Sequence, residues 1–455
     1  MSRWGQVRVL RALGLALVAG AATFGVARSG ATPGTLTGCS TQTAPPSSSV
    51  TPITIAVSVP LTGQLESIGR NLRDGILVAE SQINAAGGLL GRPVRFNVVD
   101  DGSRSDQAIL DALEPALGSG VVGLIGPLGS GQTKAVHELT RGRKIPQISL
   151  GSSVELTTLQ PARDRYLFRT SPADDLQAKA VVKYAQEGPG GADAGAGDAG
   201  ATGFKACSKF GVVYIDNSYG QKLEEAMRAE VALRGGKVVY SQVTPVEKVG
   251  DYSPIVKALL AAQPECLVLV TYVDVAAAFL EALRKSDSKL LVLGTDGLYA
   301  DDLVSKSRKP DGTSFAEGVV GTNPDTTPAT PAFNEFKVLY RTYHNGAEPG
   351  SYAANAYDAA ILFALAVLAA GSATDTVKIR DALFDVSAGG AAFTPARYMD
   401  AAEAVRRKQD VDYKGASGSV DFDEFGDVKG GFIVWGVQGD KLETIRAYTL
   451  EDLGQ

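Results

Sequence analysis

From Ile53 onward the chain alternates between two periodicities, and this alternation restricts its fold more than any other feature. Short runs rich in β-branched residues, Ile53–Val59, Val94–Val99, Val121–Ile125 and Ile145–Leu150, read as strands. Between them, Asn71–Ala85, Asp106–Leu117 and Gln132–Arg141 read as helices, with Leu72, Ile76, Ala79 and Ile83 on one face of the first. A β-α-β-α-β-α-β order of this kind requires a parallel sheet covered on both faces by helices.

The pattern then restarts. Asp175–Gln186 reads as a helix, and Phe210–Ile215, Val238–Val243, Leu267–Thr271 and Leu290–Leu293 as strands separated by helices Gln221–Arg234, Tyr252–Ala262 and Val275–Ser286. A helical portion follows (Pro331–Tyr343, Tyr352–Ala370, Thr374–Leu383), and a β-rich tail begins at Ser419. The expected fold class is α/β, with two doubly wound parallel-sheet lobes in tandem. Residues 188–203 are Gly/Ala/Asp-rich with nothing to bury, and read as a surface insertion. The acidic stretch Asp421–Asp427 lacks the spacing and terminal Glu of a calcium loop and reads as a turn.

The first 38 residues read as an export signal: Arg3, Arg8 and Arg11 precede an apolar run, Leu13–Ala27, too short to span a bilayer comfortably. Leu36-Thr-Gly-Cys39 resembles a lipobox, which would make Cys39 the lipidated N-terminus of the mature chain. The apolar run ends about ten residues earlier, however, and a plain signal peptide cut near Ala31 is the alternative. Residues 39–52 are Ser/Thr/Pro-rich and read as a flexible tether. The expected location is the periplasm or cell envelope, lipid-anchored. A formal net charge of −6 without basic clusters beyond the first residues argues against nucleic acid or an anionic membrane face as partner. In a doubly wound lobe the first and third strands are neighbours, so Cys207 and Cys266, each at the start of such a strand, would meet as a disulfide in an oxidising compartment. Two separately buried thiols are the alternative.

Chemistry is sparse. The only histidines, His137 and His344, have no metal-ligand spacing, and no nucleophile elbow or C-x-x-C occurs. No catalytic residue, metal or cofactor is expected. The informative loops follow strands. GPLGSGQT, residues 126–133, has the glycines of a P-loop and lacks its lysine. An exported chain meets no pool of ATP, and a glycine-rich loop feeding a helix N-terminus suits a single carboxylate, with Ser130 adding a hydroxyl. After the next strand, Ser152 and Glu155 fit an S-x-x-E capping box, leaving Ser153 to face the cleft.

Several segments in order, Ile55-AVSVPLTGQLESIG, Ile83-NAAGGLLGRPV, GPLGSGQT, Ile148-SLGSSVELT, Val213-YIDNSYG, Gly294-TDGLYADD and Asn355-AYDAA, resemble type I periplasmic binding proteins over about residues 53–440. More narrowly, the chain resembles the leucine/isoleucine/valine-binding protein family, which serves ABC importers. The resemblance implies two lobes joined by a hinge, lobe I from 53–171 with 322–418 and lobe II from 172–321 with 419–455. It implies a monomer that closes on a small amino acid, branched-chain-like, or an amide, and delivers it to a membrane permease. By the same resemblance Ser130 would take the ligand carboxylate, and Gly151 and Ser153 would supply a carbonyl and a hydroxyl. Tyr219 and Tyr272 would close over the ligand, and Asp296 would pair its ammonium. Tyr219 packing beside its loop and Asp296 capping a turn are the bland alternatives. Two departures leave side-chain specificity open: Asp296 is one methylene shorter than the Glu of some members, and Ile68 is aliphatic where the pocket is lined. A ligand sensor on the same fold, and an exported hydrolase, are the competing functions.

Overall fold

The structure, a computed structural model, describes residues 50–455 apart from 105, 119, 163–164, 190–204, 248–249 and 301. The expected signal segment, Cys39, nearly all of the expected tether and most of the expected insertion lie outside the described residues.

The first lobe is built on a parallel sheet of β1 (Ile53–Val59), β2 (Val94–Asp100), β3 (Val121–Ile125), β4 (Gln147–Ser149) and β5 (Leu167–Arg169), in the order β2-β1-β3-β4-β5. The second lobe repeats that order with β6 (Lys209–Ile215), β7 (Lys237–Thr244), β8 (Cys266–Val270), β9 (Leu291–Gly294) and β10 (Val320–Pro324), arranged β7-β6-β8-β9-β10. Both are doubly wound sheets whose strand order reverses beside the first strand, and open sheets of this kind bind ligands at that reversal, outside the strands' carboxyl ends. A parallel pair, β11 (Ala391–Phe393) and β12 (Val411–Tyr413), lies apart. The antiparallel hairpin β13 (Phe432–Gln438) and β14 (Lys441–Tyr448) extends the second sheet beyond β10. Because β6 pairs with β8, Cys207 and Cys266 meet with Cα atoms 6.1 Å apart and are joined as a disulfide.

The chain passes between the lobes three times: between β5 and helix Asp174–Glu187, between β10 and helix Pro331–Tyr343, and just before β13. The second and third passages differ from the expected boundaries at 322 and 419. Strand β10 continues through Pro324 in the second sheet, and Gly426 still accepts the Arg169 N–H at the edge of β5 (2.8 Å). The tail is therefore not β-rich until Phe432. In the turn before it, Asp423 accepts the N–H groups of Phe425 and Asp427 (2.8 and 3.0 Å).

Helix Ala353–Ala370 is apolar enough and long enough to cross a membrane, yet it is almost wholly buried in the first lobe. A helix apolar on all sides needs protein on all sides. It lies against helix Glu66–Ala85 with Gly75 at the crossing, where a Cβ would stand 2.1 Å from the Ala353 carbonyl oxygen. This packing places Tyr352, immediately before the helix and buried, against Asp296 of the second lobe. Tyr352 adopts φ 63°, a left-handed conformation costly for a bulky residue and one that recurs at functional sites.

Candidate ligand-binding site

The strand ends of the two lobes face each other across a closed cleft. Gln64 Nε2 donates to the Val246 carbonyl, Ser218 Oγ donates to Glu155 Oε1 (2.7 Å), and Tyr352 Oη donates to Asp296 Oδ2 (3.3 Å). Each of these bonds joins the first lobe to the second. Between them lies a cavity of about 30 Å³. Leu65, Ile68, Leu128 and Leu150 form its apolar wall, and Ser130, Ser152, Tyr219, Tyr272, Asp296 and Tyr352 its polar surface. Among the described residues, no Lys, Arg or His lines it.

On the first lobe, β3 ends at Ile125 and the chain turns through Gly126 at φ 93°. Any side chain at Gly126 would strike the Ser58 carbonyl oxygen, 2.0 Å from an ideal Cβ. The turn delivers Ser130 to the start of helix Ser130–Gly142, two residues earlier than the sequence suggested. No side chain caps that helix, so its first N–H groups and their partial positive charge are turned toward the cleft. The following loop behaves differently from expectation. Ser153 Oγ accepts the Glu155 N–H (3.4 Å) while Ser152 lines the cavity, the reverse of the capping assignment. Gly151 sits behind the lining with its N–H spent on Ser149 Oγ (2.9 Å). Ser130, Tyr219, Tyr272 and Asp296 are thus brought together on one cavity, and Gly151 and Ser153 stand one layer back.

On the second lobe, Tyr219 follows β6, Tyr272 follows β8 and Asp296 follows β9. The Tyr219 and Tyr272 rings stack with centroids 5.8 Å apart and planes 10° from parallel. Tyr219 Oη donates to Asp296 Oδ1 (2.6 Å) and lies 2.8 Å from Thr295 Oγ1, while Tyr272 Oη accepts from Asn217 Nδ2 (3.1 Å). Burial pushes the Asp296 carboxyl above the usual carboxylate range, against the opposing hydrogen bond from Tyr219.

Sequence reasoning missed a second acid. Asp174 opens helix Asp174–Glu187, is 1% exposed, and its Oδ2 has no hydrogen-bond partner. Burial, followed by the charge of Asp296, raises its carboxyl well above 3.8. The fields of both acids reach Tyr219, Tyr272 and Tyr352, whose phenols are raised first by burial and then by these charges. Arg169 and a hydrogen bond from Ser152 oppose the rise at Asp174, and Asp296, on the lining itself, has no basic side chain beside it among the described lining residues, so a cation in the cavity would relieve it. His137, by contrast, is buried away from the cleft, where desolvation lowers it to about 4. His344 Nε2 lies 3.1 Å from the Asp74 carbonyl oxygen.

The family profile described as periplasmic binding protein matches residues 52–408. Leu/Ile/Val-binding protein homolog 3 of Brucella melitensis biotype 1 is 25% identical over 335 residues, spanning 73% of this chain and 83% of that protein. An amino acid binding protein of Pseudomonas aeruginosa is 27% identical over 330 residues, spanning 72% and 80%. Among solved structures, a leucine binding protein LivK from Thermotoga maritima superimposes with a TM-score of 0.68 at 21% identity, over 88% of this chain and 99% of that one. The branched-chain amino acid substrate binding protein LivJ from Streptococcus pneumoniae, in complex with isoleucine, gives 0.67 at 20% identity over the same shares. With its matched profile, its repeated strand order and its closed inter-lobe cleft, the chain belongs to the periplasmic binding proteins, as a type I member of the leucine/isoleucine/valine-binding family.

Proposed function

We propose that the protein is the extracytoplasmic solute-binding component of an ABC importer, and that it captures a small amino acid, branched-chain-like, or the corresponding amide. The observation that carries this reading is the pairing of opposite polarities across one cavity. The uncapped start of helix Ser130–Gly142, with the hydroxyls of Ser130 and Ser152, offers donors to a carboxylate. Across from it, Asp296 on the lining offers a carboxylate to an ammonium, with the buried Asp174 adding its field from behind. The wall of Leu65, Ile68, Leu128 and Leu150 receives an aliphatic side chain, and the stacked tyrosines cover the ligand.

The ligand lands on one lobe and hinge closure brings the other onto it, with Ser218–Glu155 and Tyr352–Asp296 as latches. The closed form docks on a membrane permease, a lipid on Cys39 keeps the protein at the membrane, and the chain works as a monomer without a cofactor. The names of the relatives above, a Leu/Ile/Val-binding protein homolog and an amino acid binding protein, favour an aliphatic amino acid among zwitterions. A thermal-shift screen of leucine, isoleucine, valine and alanine, their amides and their deaminated carboxylates tests this reading. A ligand at 100 times its Kd stabilises the folded protein by about 2.7 kcal/mol, a readily measured shift. Equal stabilisation by the deaminated carboxylates would remove the two acids from ligand recognition and overturn the proposal.

A further inference from the structure

Arg169 ends strand β5 with its side chain turned inward, 1% exposed. All five of its N–H groups are used. Nε donates to Asp427 Oδ1 (2.8 Å), and Nη2 donates to the other oxygen of the same carboxylate and to Thr157 Oγ1 (2.7 Å). Nη1 donates to two backbone carbonyls, those of Ser152 (3.2 Å) and Ser153 (3.0 Å). The ion pair alone would explain a buried arginine. The two carbonyls are the informative partners, because they belong to the loop that borders the ligand cavity.

A trans peptide is planar, so fixing a carbonyl also fixes the N–H on its far side. The Ser152 carbonyl is held by Arg169 and again by the Asp174 N–H (2.8 Å). The N–H across that peptide is Ser153's, and it donates to Ser130 Oγ (3.2 Å). A hydroxyl that accepts such a bond retains its own proton to donate, and no described protein acceptor takes the Ser130 proton. Asp427 in turn lies just before the passage into β13, so the same guanidinium fastens the peptide plane to a connection between the lobes.

We infer that Arg169 is a positioning residue for the ligand carboxylate: through the Ser152–Ser153 peptide it holds the Ser130 hydroxyl with its proton directed into the cleft. This rests on the reading of Ser130 as a carboxylate donor. Lysine at this position keeps the charge beside Asp427 but cannot reach both carbonyls and the carboxylate with one rigid fork.

The test combines Arg169→Lys, Ser130→Ala and the double variant, with calorimetry on leucine and on leucinamide, which keeps the ammonium and side chain and lacks the carboxylate. Arg169→Lys weakens leucine about tenfold, the order expected for one lost hydrogen bond to a charged group, and leucinamide less than about threefold. The double variant binds leucine within about twofold of Ser130→Ala alone, because both changes remove one interaction. In the ligand-free protein, hydrogen exchange at the Ser153 amide rises about tenfold in Arg169→Lys while that of β1 is unchanged. Equal losses for the two ligands, additive losses in the double variant, or unchanged exchange at Ser153 would each overturn the inference. If the wild-type protein binds neither probe, the amino-acid reading fails, and exchange at Ser153 still decides whether Arg169 holds the plane. Should Arg169→Lys fail to fold, Asp427→Asn loosens the same fork at nearly constant volume, and the same comparisons apply in the same direction.

Discussion

If the cleft acids receive an ammonium, ligand affinity must depend on pH, and the structure fixes the sign. Both Asp174 and Asp296 are raised above 3.8 in the closed cleft, first by burial, and each acid must be ionised to pair a cation. Below the raised values the pair holds at least one proton that a bound ammonium would expel. Affinity then falls about tenfold, or about 1.4 kcal/mol, for each pH unit below the raised value until the lower pKa of the ammonium-paired acid is reached. The folded-state stability of the ligand-free protein runs the other way. Its acids bind protons more tightly than those of the unfolded chain, so their contribution rises as pH falls through the same window.

Calorimetry with leucine between about pH 7.5 and 4.5, repeated in buffers of differing ionisation enthalpy, measures both the slope and the proton count. About one proton is released per ligand at the acid end. Asp296→Asn should weaken binding by about 1.5–3 kcal/mol near neutrality, the range for a hydrogen bond to a charged group. The two proteins should converge on acidification, as the wild type loses the charge the variant never had. A flat affinity profile with no proton exchange, or parallel curves for wild type and variant, would refute the pairing of an ammonium with these acids.

Replacing Tyr352 by Ala removes the latch to Asp296 and opens the mouth of the cavity, shifting preference toward larger side chains by about 1–3 kcal/mol, measurable as a change in the leucine-to-alanine Kd ratio. Asp358 is buried and raised from 3.8 to about 6, against opposing bonds from Ser417, Tyr413 and Ala416. The folded protein should therefore gain about 3 kcal/mol relative to Asp358→Asn as pH falls from above 6 to below 3.8, seen as diverging denaturation midpoints; parallel midpoints would contradict it. Replacing both Cys207 and Cys266 by Ser releases a loop with a sequence separation of 59, and chemical denaturation should show a loss of up to about 4 kcal/mol with ligand affinity unchanged.

The alternation of periods was enough to read both lobes, because each long helix carries its own apolar face and each core strand its own β-branched run. What escaped was structure that borrows its stability from neighbours. Strand β10 has the sequence Val-Gly-Thr-Asn-Pro, whose Gly, Asn and Pro are all depleted in strands. It is a strand because β9 and β13 flank it, and because Gly321 leaves room for Trp435, whose ring would lie 2.2 Å from a Cβ there. Strand β5 spans three residues, too few to show any period.

The site divides along the same line. Ser130, Tyr219, Tyr272 and Asp296 follow strand ends that are visible in the sequence, so their common location follows from topology. Asp174 and Asp175 are chemically identical neighbours after a segment with no pattern, and only the burial of the first and exposure of the second separates them. Which of Ser152 and Ser153 faces the cavity depends on the orientation of one peptide plane. That plane is held by Arg169, which is itself fixed by an acid 258 residues further along the chain. A local motif such as S-x-x-E fits either serine's neighbourhood and cannot sense that acid. The face this loop turns to the cavity is tied by one buried guanidinium to the segment just before β13, so the cavity's lining is coupled to a connection between the two sheets.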